Sequence, residues 1–468
     1  MDFSAEKIVQ QFKRILPHPF TLAILLTVLT FGLAFFLTKP TETSSLSYTY
    51  ELMVNWEAGL WDSSTGGLYF AFQMMLMLVL GHCLALTHPI KLIIDKLLTI
   101  CTDTPKSALV IAFTSILMGL FNWGLGLIVG AILARRIGEK FAENNQPLNY
   151  GLIGALGYLA LLVWHGGLSG SAPTKIMEEG YLQSMANASS TINFSAMPTA
   201  VPFESTIGSA MNITISIIVL LLFPLVAYFI AKKSKVSYIP KFEENYDKQP
   251  ILELANKKGA EWLDISKYTG IIIGGGILVV VLLKAIHYEG HSFFGFIQPN
   301  FINLTLFGLC ILLHQRIQFF LAAIQRAIGD ISGILIQFPL YFGILGIMKY
   351  SGLIDLFSDA LINLASTETL PFFTFLSAGF VNFFVPSGGG QWAIQGPIII
   401  QATQELGADL PKTIMAMAYG DQLTNMLQPF WALPLLGITK LKAYEILPYT
   451  FLFFLLGGIV YGSMLFIF

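Results

Sequence analysis

The chain has 468 residues, of which 55% are hydrophobic and 12% charged, with 26 basic against 28 acidic side chains and a mean hydropathy of +0.69. A soluble domain is roughly 25% charged, so water is not the main solvent here, and the near-neutral balance without any stretch resembling a nucleic-acid module sets nucleic acid aside as a partner. Cys83, Cys101 and Cys310 are too scattered for a zinc site or a disulfide framework and read as buried thiols.

Along the chain, apolar residues come in uncharged runs near the roughly 20 residues that cross a bilayer core. The first, 20–38, follows Lys7, Lys13 and Arg14. It is too long for a signal peptide, and Thr38-Lys39-Pro40 is no small-residue cleavage site, so it reads as a retained span. Further spans are expected at 67–86, 149–165, 206–231, 269–287, 300–314, 328–350, 411–434 and 444–467, nine in all. Lys and Arg in short loops mark the cytoplasmic face. They cluster at Lys7/Lys13/Arg14, Lys91/Lys96/Lys106, Arg135/Arg136/Lys140, Lys232/Lys233/Lys235, Arg316/Arg326 and Lys440/Lys442, which places the N-terminus inside and the C-terminus outside.

Two apolar runs do not fit as single crossings. Ser107 to Ala134 lies between two basic flanks that both belong inside, and Asn122-Trp123-Gly124-Leu125-Gly126 interrupts its middle, so a hairpin entering from the cytoplasm is expected. A long tilted span with a Gly-rich packing face is the alternative. Thr369 to Gln404 is its mirror image, with Asp355, Asp359 and Glu368 before it, Glu405 and Asp409 after it, and Pro386-Ser387-Gly388-Gly389-Gly390 at its centre. Proline and glycine weaken a helix interior, so this run is expected to dip in from outside.

The predicted fold is therefore an all-α polytopic membrane protein of about nine transmembrane helices plus two re-entrant helical hairpins (107–134 and 369–404) in two inverted repeats. Residues 1–231 form the first repeat, 232–299 a cytoplasmic loop and connecting span, and 300–468 the second repeat. The spacing between Asn122 and His165, 43 residues, equals that between Asn382 and Asn425, so each hairpin Asn precedes a second helix break by the same distance. Those breaks are His165-Gly166-Gly167-Leu168-Ser169-Gly170-Ser171-Ala172-Pro173 and Asn425-Met426-Leu427-Gln428-Pro429. Inverted repeats around interrupted helices characterise many secondary transporters, with the ligand site near the midplane.

A helix that stops within the membrane leaves amides suited to a carboxylate and carbonyls suited to a cation. The polar groups at the breaks are Asn122, His165, Ser169, Ser171, Asn382, Ser387, Gln391, Asn425 and Gln428, and Gly124, Gly126, Gly166 and Gly388 to Gly390 leave backbone open to a ligand. Asp421 lies within an apolar helix, where ionisation needs compensation; it reads as a coupling-ion group or a structural hydrogen-bonder, and His165 as a proton acceptor, a carboxylate contact or an interfacial residue. Asn122 and Asn382 are further candidates for the coupling ion. Arg326 and Asp330, spaced i, i+4, read as a helix-surface pair. Asn187-Ala188-Ser189 and Asn193-Phe194-Ser195 match glycosylation sequons and decide nothing.

The segments Phe121-Asn122-Trp123-Gly124-Leu125-Gly126, His165 to Pro173, Val385-Pro386-Ser387-Gly388-Gly389-Gly390-Gln391-Trp392 and Tyr419-Gly420-Asp421-Gln422 together resemble the bacterial short-chain fatty acid transporter family of the ion transporter superfamily, over the whole chain. The resemblance implies uptake of acetoacetate, butyrate and similar monocarboxylates across the inner membrane. It also implies a homodimer with a scaffold and a mobile transport region that moves as an elevator. Coupling is to sodium or to protons, since the superfamily includes both; no other cofactor is expected. The superfamily's dicarboxylate carriers have Ser-Asn-Thr at their hairpin tips, and this chain has Asn-Trp-Gly and Pro-Ser-Gly-Gly-Gly instead, so their sodium ligands do not carry over.

Other function classes remain in view. A passive channel, or a carrier of another small organic anion, would also use such hairpins. An iron-dependent membrane enzyme would need clustered ligands, whereas the histidines at 18, 82, 88, 165, 287, 291 and 314 form no close-spaced set. A self-contained inverted repeat argues against the permease subunit of an ATP-driven importer.

Overall fold

The computed structural model describes residues 19–61, 67–177, 179–182, 198–239, 242, 259–289, 296, 299–353, 356, 363–383, 388–428 and 431–468. Ser387, the sequon residues Asn187 and Asn193, the first basic cluster, and Asp355 and Asp359 lie outside them. Among the described residues the protein is nearly all helical, and a lone antiparallel bridge joins Leu148 to Ser237.

The helices of the first half are α1 (Pro19–Leu37), α2 (Ser45–Trp61), α3 (Gly67–Ala85), α4 (His88–Ile100), α5 (Thr104–Phe121), α6 (Trp123–Glu143), α7 (Tyr150–Gly157), the short α8 (Ser171–Lys175) and α9 (Ala210–Lys233). Then follow α10 (Glu261–Ile265), α11 (Lys267–Ile286), α12 (Pro299–His314), α13 (Ile317–Tyr350), α14 (Leu370–Asn382), α15 (Gly388–Leu406), α16 (Leu410–Thr424), α17 (Leu433–Thr439) and α18 (Ala443–Ile467). Helical segments lie at the nine predicted span positions, but 149–165 breaks into α7 and two 3-10 turns, and 411–434 into α16, a 3-10 turn and the start of α17. Among the described residues five are long and apolar enough to cross a membrane by themselves, or six if α3 and α4, bent by 66°, make one span. Four helices went unpredicted: the five-residue α8 and α10, and α2 and α4, each of which mixes polar with apolar residues.

Polar caps set the local boundaries. Asp103 starts α5 by accepting from the Lys106 amide at 2.8 Å, with Pro105 in the first turn. Asn122 leaves the helix in an extended conformation (φ −154°, ψ 126°), ends α5, and begins α6 by accepting the Leu125 amide on Oδ1 at 2.8 Å. One Asn therefore closes one helix and opens the next. The two then run antiparallel at close range: a Cβ on Gly126 would lie 2.6 Å from the Gly119 nitrogen, and one on Gly130 would lie 2.7 Å from Ser115 Oγ and strike the Gly157 carbonyl. At the far end Lys140 Nζ donates to the carbonyls of Leu98 and Cys101 (2.6 and 2.9 Å), which brings the end of α6 back to the start of α5. The α14–α15 pair closes in the same way, with Thr367 Oγ1 donating to the Leu406 carbonyl at 2.7 Å.

Several basic clusters collect at one end of the molecule. Arg136 pairs with Asp95 at 3.0 Å, and Arg326 and Arg136 both lie within electrostatic reach of Lys91. Arg135 pairs with Glu139 at 2.7 Å and stacks on Phe242 at 3.8 Å, beside the Leu148–Ser237 bridge. Tyr150 donates to the Thr439 carbonyl at 3.0 Å next to Lys440. Arg326 lies within the long helix α13, which starts eleven residues before the predicted span at 328.

Gly130 is clamped between α5 at Ser115 and α7 at Gly157. Gly130→Leu is expected to lower the apparent melting temperature of purified protein, since overpacking typically costs about 1–3 kcal/mol. An unchanged melting curve would mean that these helices can separate without loss.

Candidate functional site

Both predicted helix breaks lie in the interior, and they meet. After α7 the chain continues as two 3-10 turns, Tyr158–Leu162 and Trp164–Gly166, then an irregular stretch to α8. After α16 it continues as a 3-10 turn, Asn425–Leu427, and leaves the helix at Gln428. Neither break is solvated, so its backbone groups must find partners within the protein.

Side chains of α16 supply those partners. Gln422 Oε1 accepts from the amides of both His165 and Gly166 at 3.0 Å. Asp421 Oδ2 lies 2.5 Å from His165 Nδ1, with both residues fully buried (1% and 0% exposed). The ring's other nitrogen, Nε2, accepts from the Ala172 amide at 3.0 Å and lies 3.1 Å from Ser171 Oγ. A backbone amide can only donate, so Nε2 is the acceptor, and the proton of the neutral ring is assigned to Nδ1, donated to Asp421. His165 thereby ties α16 to the start of α8. The indole of Trp164 stacks on the imidazole at 4.5 Å. Tyr158 returns the contact from the first half, its hydroxyl lying 2.9 Å from the Asn425 carbonyl and 3.1 Å from that of Gln428.

The predicted hairpin tips meet these breaks. At the first tip, the Trp123 amide donates to Ser169 Oγ at 3.0 Å and the Leu168 amide to the Leu120 carbonyl at 2.8 Å. Asn382, where α14 ends, donates from Nδ2 to the Asp421 carbonyl, Thr424 Oγ1 and Asn425 Oδ1 at 2.8 to 2.9 Å. The 43-residue spacing in the second half is thus a direct side-chain contact. Gln428 Nε2 donates to the Asn382 carbonyl at 2.5 Å. Gly388 opens α15 against the first break: a Cβ there would lie 2.6 Å from both His165 Cε1 and Ser171 Oγ and 2.9 Å from Trp164 Cη2. Gly389 and Gly390 continue the same first helical turn. Gly124 and Gly126 pack on neighbouring backbone, Gly124 towards Met77 and Leu78 of α3 and Gly126 towards Gly119, so their smallness serves helix packing.

Some participants had no signal that sequence reasoning used. Gln422 stands in the quoted motif and Thr424 two residues beyond it, yet their partners include groups on other segments. Asn212 in α9 donates to the Gly166 and Ile207 carbonyls (2.8 and 2.7 Å) and accepts from the Tyr419 hydroxyl at 3.0 Å. It buttresses the break from behind.

Among the described residues, several buried polar atoms here have no hydrogen-bond partner. The acceptors are Asn382 Oδ1, Gln391 Oε1 and Gln428 Oε1, and the donors are Asn122 Nδ2, Trp123 Nε1 and Trp164 Nε1. Each such atom costs about 1–3 kcal/mol, so a cluster of them marks a place prepared for something else. Where every buried atom is satisfied, removal costs instead: Gln422→Leu strands two buried amides and is expected to destabilise the fold by roughly 2 kcal/mol or more, read as a lower apparent melting temperature. An unaltered melting curve would show that the break does not depend on α16.

The whole chain, residues 2–468, matches the family model described as short chain fatty acid transporter. A protein of Escherichia coli K12 named "Putative short-chain fatty acid transporter" is 35% identical over 454 residues, covering 96% of this chain and 95% of that one. A protein of the same name from Haemophilus influenzae is 34% identical over 449 residues, 92% of each. Among solved structures, the Alcanivorax borkumensis YdaH transporter has a TM-score of 0.48 at 14% identity, with 96% of this chain and 98% of that one covered. Neisseria gonorrhoeae MtrF, described with a class of antimetabolite efflux pumps, has a TM-score of 0.47 at 16% identity, with 99% and 97% covered. Matched from end to end by the family model and by two relatives above the identity at which kinship is secure, this multi-pass membrane protein belongs to the short-chain fatty acid transporter family.

Proposed function

We propose that the protein is a secondary transporter that takes up short-chain fatty acids, including acetoacetate and butyrate, across the bacterial inner membrane, coupled to a proton or sodium gradient. The observation that carries this reading is the meeting of the two breaks, where Asp421 holds His165 and the Gly388 end of α15 sits against that ring. A ligand bound there touches elements of both halves at once, which is what alternating access about a central site requires. The substrate carboxylate would be held among Asn122, His165, Gly166, Ser169, Ser171, Ser387 and the first amides of α15 at Gly388 to Gly390, where the positive end of a helix favours an anion. The coupling cation would lie by Asp421 and Asn382; Asn122, read from sequence as a third candidate, has its Oδ1 engaged by the Leu125 amide and offers only a donor. The unpaired oxygens of Asn382, Gln391 and Gln428 favour that placement.

The finer architecture belongs to the same proposal. Antiparallel closure of α5 on α6, and of α14 on α15, supports two re-entrant hairpins in two inverted repeats, 1–231 and 300–468, joined by 232–299. The gathering of basic clusters at one end supports a cytoplasmic N-terminus and an external C-terminus. The elevator movement and the homodimer rest on the family alone.

Three experiments test this. Single cysteines at Asp103 and Glu139, in a chain otherwise free of cysteine, are expected to be labelled only from the cytoplasmic side; labelling from opposite faces would show that α5 and α6 form a full crossing. Counterflow in proteoliposomes with a panel of two- to six-carbon acids, with and without sodium, is expected to show saturable exchange. Asp421→Asn is expected to abolish gradient-driven accumulation while exchange persists. Non-saturable flux would mark a channel, and undiminished accumulation by Asp421→Asn would make that residue structural.

A further inference from the structure

We propose that Asn122, Trp123 and Trp164 form the carboxylate subsite, and that the indole cluster of Trp164, Trp123 and Trp431 is the wall that measures acyl chain length. This rests on the transport reading above and adds residues to it, since none of the three tryptophans was expected there from sequence.

Asn122 spends Oδ1 on the Leu125 amide, which fixes its amide group and leaves Nδ2 buried with no acceptor. Its neighbour Trp123 is held by its own amide bond to Ser169 Oγ, and its indole N–H is also buried and unpaired. Trp164 is held by stacking on His165, and its indole N–H is the third. The two rings lie 6.2 Å apart. All three residues are at least nine-tenths buried. Three preorganised N–H donors without acceptors suit a group that brings only acceptors, and a carboxylate is that group.

The rest of the ligand must be apolar, and the same residues supply its surroundings. Trp123 lies between Trp164 and Trp431, with its ring 5.4 Å from that of Trp431 in an edge-on arrangement. Trp431 follows the second break, and the outer edge of Trp164 faces Gly388 of α15. One indole cluster thus spans from the second hairpin to the second break. Rigid aromatic walls hold a short alkyl chain by contact area, and they exclude a longer one by shape.

The two roles separate in proteoliposome counterflow with acetate, butyrate and hexanoate, on variants shown to be monodisperse by size exclusion. Trp164→Phe and Trp123→Phe keep a ring and lose the N–H. Their KM is expected to rise about tenfold or more, equally for all three acids, with turnover changed less. Trp431→Leu keeps the donors and removes the wall. Its preference for hexanoate over butyrate is expected to rise about fourfold for each methylene newly accommodated, and Trp431→Phe, the milder truncation, moves the same ratio in the same direction. A purely structural role would change amounts of folded protein and leave these ratios alone. Unchanged KM for acetate in both Phe variants, or an unchanged chain-length ratio in the Trp431 variants, would overturn the inference. A parent protein that exchanges none of the acids would instead overturn the transport reading itself.

Discussion

Everything at the centre of this protein depends on one constraint: a helix interrupted inside a membrane exposes amides and carbonyls that no water can satisfy. The break after α7 meets that constraint with side chains of α16. Gln422 takes two amides, and Asp421 holds the imidazole that in turn accepts the Ala172 amide. The break after α16 is met in the reverse direction by Tyr158, from beside the first break, at the carbonyls of Asn425 and Gln428, and by Asn382 at the Asp421 carbonyl. Each interruption is therefore stable only in the presence of the other. This mutual dependence explains why such polar residues sit where hydropathy alone would place Leu or Val, and why the tolerance for volume is so low at Gly388 and Gly166, where an added methyl would strike His165 and Asn212 respectively.

The same constraint separates what could be read from the sequence and what could not. The bilayer acts on each span independently, so nine apolar runs announce themselves one at a time, and Asn122 and Asn382 were legible because a helix interruption leaves a local mark of glycine, proline and amide residues. The equal 43-residue spacing carried further than composition, since in the second half it is the Asn382–Asn425 contact itself. What stayed hidden is relational. Gln422 and Asn212 look like ordinary polar residues in helices until the fold brings partners from 257 and 46 residues away. The helices α2 and α4 were missed for a different reason: each mixes polar with apolar residues, so a rule built on the hydropathy of single runs has nothing to detect.

The tryptophans were hidden for a third reason. Trp123 stands inside a quoted motif and Trp164 immediately before one, and in a membrane chain an indole reads first as an interfacial anchor. Burial removes that reading, because an anchor needs a wet end for its N–H. Once the ring is buried and its nitrogen unpaired, the question changes from how the residue positions the chain to what the residue awaits.

The unpaired atoms also differ in sign. Those at Asn122, Trp123 and Trp164 are donors, whereas those at Asn382, Gln391 and Gln428 are acceptors. On the proposed reading, the first set faces a carboxylate and the second a cation. An anion alone in a region of low dielectric carries an uncompensated charge, and so does a cation alone; the two together lose much of that penalty. A carrier built in this way moves its closed form most easily when both sets are filled or both are empty, because half-filled states leave one buried charge without its counterpart. Coupling then needs no separate device. It follows from placing donors at one broken helix and acceptors at the other, with Asp421 and His165 fixing the distance between them.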